Sequence, residues 1–114
     1  MAAITFQMTP KDIQRAVSVI HRTAPLFSDQ VCPVAQCMNR TLRQVPDYSG
    51  VVVMLHHVQI FILSDTHWYC PTKAMRAFVR QFDKYLKGRR PTPPKPITFT
   101  MRGLPAPFGV YAKP

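Results

Sequence analysis

Three cysteines and four histidines are the side chains of this 114-residue sequence with the widest chemistry. Cys32 and Cys70 each precede a proline, which suits the first turn of a helix. That spacing places each thiol at a helix N-terminus, where the dipole favours the thiolate. A nucleophile paired with His56, His57 or His67 is one chemistry this would allow. A zinc site from Cys32, Cys37, Cys70 and His67 is another. The spacing supports neither strongly, because Cys32 and Cys37 are too far apart for the usual C-x₂₋₄-C pair. Free cysteine is among the most buried residue types, so packing is the favoured reading. The odd count excludes a complete disulfide framework, while a Cys32–Cys70 bridge stays open. All five acids are aspartate, at positions 12, 29, 47, 65 and 83, scattered singly, so no paired-carboxylate site stands out. Glycines at 50, 88, 103 and 109 form no phosphate loop. The expectation is a non-enzymatic protein with no cofactor and no metal.

The cations carry more signal. Fifteen Lys and Arg against five acids give a formal charge of +10, and seven of the fifteen lie between residues 73 and 90. At 100° per residue, Lys73, Arg76, Arg80, Lys84 and Lys87 fall within about 80° of arc. Met75, Phe78, Val79, Phe82, Tyr85 and Leu86 fall opposite. One face is core and the other is a cationic ridge about three turns long, with Asp83 at its edge. Arg89, Arg90 and Lys95 continue it. A helix that only covers a core usually alternates signs on its wet face. Such a ridge suits the phosphates of nucleic acid, read without sequence preference, or an acidic protein surface. The bland alternative is a solvated basic face. Nothing matches zinc-finger or RNP-type patterns of base reading.

Several elements must position these residues. Ile4–Met8 alternates and reads as a strand. Thr9-Pro10 opens a helix, with Asp12 three residues on as in a capping box and Ile13, Ala16, Val17 and Ile20 as the apolar stripe. That helix should end before Pro25. A second helix starts at Cys32-Pro33, with Val34, Cys37, Met38 and Leu42 as its stripe. Residues 46–50 are a turn cluster. Residues 51–63 read as a hairpin turning near His56-His57, and their near-continuous apolar run suggests a strand covered on both faces. Asp65–His67 is read as a loop. Residues 72–87 form the third helix, stopped by Gly88. Prolines in 89–96 make an extended connector, and Ile97–Met101 is a last strand. The predicted fold is α+β, order β-α-α-β-β-α-β, with a mixed sheet of about four strands and helices mainly on one face. One globular domain is expected over 1–103, with an irregular Pro-rich tail over 104–114.

The N-terminus lacks the charged and apolar regions of a secretory signal. The most apolar stretch is too short for a spanning helix, which needs about 20 residues. A cytoplasmic protein with no membrane partner is therefore expected, and homo-oligomerisation stays open.

The runs CPVAQCMNR at 32–40, AFVRQFD at 77–83 and PKPITFTM at 94–101 resemble a group of small bacteriophage and prophage proteins. These share a Cys-Pro-Val-Ala helix, a Phe-Val-x-x-Phe-Asp helix and a closing Pro-x-x-Phe strand. The resemblance covers about two thirds of the chain. Cys37 stands where the group's pattern leads one to expect a small or aliphatic residue. It implies a phage-type origin, with the host cytoplasm as location, but no particular activity. Nucleic-acid binding, a place in the virion and inhibition of a host defence or nucleic-acid-handling protein all fit it.

Overall fold

A computed structural model describes residues 2–22, 31–63 and 65–104 of the chain. Strand β1 (Ala2–Gln7) leads into helix α1 (Pro10–Arg22). Its start is the expected capping box: Asp12 Oδ2 accepts from the Thr9 N–H at 2.8 Å, and the Asp12 N–H reaches the Thr9 hydroxyl at 3.4 Å. Ile13, Ala16 and Ile20 are buried as the apolar period requires. Pro25 lies outside the described residues. Helix α2 (Pro33–Leu42) begins where Cys-Pro predicts, with Cys32 at the N-cap. More than one stripe of α2 is buried, including Pro33, Ala35 and Thr41, because α2 lies against α1, β1 and β2 together.

Strands β2 (Tyr48–Val53), β3 (Val58–Ile62) and β4 (Asp65–Tyr69) follow, then α3 (Lys73–Leu86) and β5 (Thr98–Leu104). The hairpin between β2 and β3 turns over residues 54–57, closed by the Met54 N–H donating to the His57 carbonyl at 2.9 Å. His56 and His57 therefore lie in the turn, where the hairpin was expected.

The α+β class holds, but the strands are arranged differently from the expected single four-stranded mixed sheet. Among the described residues they form an antiparallel β1–β5 pair and an antiparallel β2–β3–β4 sheet. Two features produce the difference. Residues 65–67, expected as a loop, belong to an edge strand over 65–69 that pairs with β3. The strands near the two ends of the described chain, β1 and β5, pair with each other instead of joining the others. Phe6 stacks on Phe99 with centroids 5.1 Å apart, and the Thr5 and Thr100 hydroxyls meet at 2.9 Å across the pair. The run 51–63 is likewise not covered on both faces: Val51, Val53, Val58 and Ile60 are buried, while Val52 and Phe61 are half-buried on the other side.

One core cluster joins the layers, with Phe6, Met38, Leu42, Ile60, Met75 and Leu104 among its fully buried members. Leu104 is thus a core strand residue, not the start of an irregular tail. An extra residue in β5 between Met101 and Leu104 makes a bulge opposite β1, and Gly103 takes the left-handed conformation there (φ +78°). Residues 105–114 lie outside the described residues. No described helix is long and apolar enough to cross a membrane.

Candidate nucleic-acid interface

Helix α3 is closed at both ends by local chemistry. The Thr72 hydroxyl accepts from the Met75 N–H at 3.1 Å at the N-cap. At the C-terminus the Gly88 N–H donates to the Tyr85 carbonyl at 3.1 Å, and the Arg89 N–H donates to the Lys84 carbonyl at 2.8 Å. This is a Schellman closure, and it requires the left-handed φ of +74° that Gly88 adopts. The caps fix where the ridge begins and ends, while the buried Met75, Phe78 and Phe82 fix which way it faces.

Lys73, Arg80, Lys84 and Lys87 are exposed, and Arg76 is half-buried, as the helical period predicts. The ridge from Lys73 to Lys87 is about 21 Å long at 1.5 Å per residue. Arg89 and Lys95 are exposed beyond it, and Arg90 is half-buried.

The eight cations are not equivalent. Arg76 donates to the Pro71 carbonyl at 2.7 Å, folding its guanidinium back over the first turn. Arg90 donates to Gln81 Oε1 at 2.8 Å, pinning the connector to the helix. Lys87 pairs with Asp83 at 2.9 Å in an exposed i,i+4 bridge. The side chains of Lys73, Arg80, Lys84, Arg89 and Lys95 make no hydrogen bond or ion pair with a described residue. These five are the cations with nothing to release before meeting an anion.

Sequence reasoning missed Arg102. It is exposed on β5 and lines a cavity of about 410 Å³ with Tyr69, Cys70, Thr72, Thr100 and Met101, beside the start of the ridge. It was invisible because β5 was read as ending at Met101, and nothing local places β5 beside α3.

The cysteine chemistry does not assemble. Cys32 and Cys37 are buried, Cys70 is exposed, and none of the three is in a disulfide. Burial, with the Asp12 carboxylate adding to it, pushes the Cys37 thiol up to about 12, away from a nucleophile. Among the described residues no three His, Cys, Asp or Glu side chains come together to hold a metal ion, so Cys32, Cys37, Cys70 and His67 are not a ligand set. Cys37 instead packs inside α2, with Arg40 Nη2 3.9 Å from its sulfur.

Arg40 stands apart from the other cations. It donates to Asp12 at 3.1 Å and to the Gln7 carbonyl at 2.7 Å, tying α2 to β1 and to the start of α1. The hydrogen bond to Asp12 is the main reason its guanidinium is held even more firmly charged than usual. It is structural.

No family model matches the chain, and comparison with curated proteins and with solved structures gives no significant match.

Proposed function

We propose that this protein is a non-enzymatic accessory protein that binds nucleic acid without sequence preference, through the cationic ridge of α3 and its exit. The observation that carries this reading is the set of exposed, unengaged cations, Lys73, Arg80, Lys84, Arg89 and Lys95, in a chain whose formal charge is +10. Like charges at helical spacing cost an isolated helix a few tenths of a kcal/mol per pair. A helix selected only to cover its core would not accumulate them. The ridge runs for about 21 Å, along which exposed Lys and Arg side chains can meet successive phosphates. The resemblance to phage proteins fits an accessory role of this kind in a host cytoplasm.

Salt dependence tests it. Retention of DNA and RNA should fall linearly in log–log form as salt rises, with a slope of about 0.7–0.9 per phosphate contacted. The variant Lys73→Gln/Arg80→Gln/Lys84→Gln should lower that slope by about two to three. Unchanged retention by this variant overturns the proposal. If nuclease-treated pull-downs instead recover a stoichiometric acidic protein that the variant no longer binds, the ridge is a protein-docking face.

A further inference from the structure

Among the described residues no element packs on the outward face of the β2–β3–β4 sheet, yet it carries Val52, Phe61 and Trp68 where such a face is ordinarily polar. Directly opposed residues of antiparallel strands share a face. The register therefore defines two outward rows: Val52, Gln59 and Trp68, then Gly50, Phe61 and Thr66. Val52, Phe61 and Trp68 do not belong to the core cluster or pack against it, and Trp68 is 61% exposed. His57 lies in the turn just before β3, beside Gln59 and Trp68. Its ring lies 5.2 Å from that of Trp68, tilted by 53°, and its Nε2 is 3.3 Å from the Gln59 amide nitrogen. Neither row contains a carboxylate.

We infer that this face stacks the bases of single-stranded nucleic acid, making a single strand rather than a duplex the preferred partner. The inference rests on the nucleic-acid reading above and specifies which form is bound. Three observations select this occupant. Trp68 and Phe61 present rings on a sheet, and stacking on such rings is open to every base because each has a π-face. The Gln59 amide and the His57 ring sit among those rings as donors and acceptors for base edges. The charge of the whole chain is complementary to a polyanion, and the ridge begins close by. Trp68 is five residues from Lys73, so the two are no more than about 18 Å apart along an extended chain. A duplex keeps its base faces inside and cannot use Trp68.

Trp68 is the sole tryptophan of the sequence, so its emission reports on this face alone. The wild-type protein is titrated with a short oligo-dT, with a hairpin duplex of equal phosphate count and with inorganic polyphosphate. Oligo-dT should quench Trp68, and the other two should bind with little quenching. Trp68→Ala should weaken oligo-dT binding roughly 5- to 100-fold while leaving the duplex within twofold. Because Trp68 is largely exposed, the variant keeps its core, and circular dichroism confirms that. Salt-sensitive binding of all three polyanions with no quenching, and no effect of Trp68→Ala, overturns this inference and leaves the ridge intact. Binding to none of them overturns both. An emission shift that follows protein concentration alone, with a dimer in solution, shows the face to be an interface between copies and also overturns it.

Discussion

Asp12 does more than any other acid in the described chain. Its side chain is 3% exposed, and it accepts from the Thr9 backbone, the Thr9 hydroxyl and both Nε and Nη2 of Arg40. One carboxylate thus starts α1 and holds α2 beside it. Asp12→Ala removes the α1 cap and the tie to half-exposed Arg40 together, so it should lower stability by about 2 kcal/mol, measured by urea unfolding. A loss below about 1 kcal/mol would show the pair to be replaceable by water. The thiols make a second prediction. Cys70 should react at once with a thiol reagent in the folded protein, and Cys37 only on unfolding. Burial raises the pKa values of Cys37, Tyr48 and Tyr69, so the folded state holds these protons more tightly than the unfolded chain. The sign follows: their contribution is complete below the unfolded thiol value of about 8.5 and is lost progressively as pH rises toward 12. Urea midpoints should be level from about pH 7 to 8 and fall steadily above about 9. A midpoint that rises between pH 9 and 10.5 contradicts this.

Among the elements, turn chemistry decides the most. Gly88 has open space around its Cα, so Gly88→Ala meets no clash, and its cost comes only from the left-handed φ, about 1 kcal/mol. The β3–β4 connection carries the opposite fault. Ile62 pairs with Asp65, which leaves a two-residue turn, and Leu63 sits there at φ +53° and 70% exposed. A left-handed φ is taken more easily by Asn, Asp or Gly than by leucine. Leu63→Asn should therefore raise the thermal midpoint by a few degrees, and a lowered midpoint would show that Leu63 is held by something other than the turn. The same turn explains where sequence reading stopped. The helices were legible because Thr9-Pro10, Cys32-Pro33, Thr72 and Gly88 mark their ends and their apolar periods agree. The β2–β3 hairpin was legible from its alternation. Strand β4 was not: Leu63-Ser64 carries no turn signal, and D-T-H-W-Y points its largest side chain outward, so no buried stripe betrayed it. The ridge of α3 was readable because helical spacing alone defines it, whereas the sheet face needs the register of three strands.

At the scale of the molecule, charge and apolar surface are separated. Arg40 and Asp12 are spent on internal ties, while five exposed, unengaged cations line α3 and its exit; Lys11, Arg15, Arg43 and Arg102 are exposed elsewhere. Asp83 is the exposed acid that trims this field, through Lys87. Asp83→Asn should therefore tighten nucleic-acid binding a few-fold at low salt, with the gain fading as salt screens it, and should leave stability within about 0.5 kcal/mol. Weaker binding by this variant would mean that Asp83 positions Lys87 rather than masking it. The β1–β5 pair has a further consequence, in time rather than space. Its partners are separated by nearly the whole described chain: Thr5 meets Thr100. Contacts so distant in sequence form slowly, because the long loop must close before they yield anything. On the ribosome, the apolar strand beginning at Ala2 must wait for its mate at Thr98–Leu104 to emerge. The helices and the hairpin can assemble first, and until β5 arrives β1 is an unpaired edge exposed to other nascent chains.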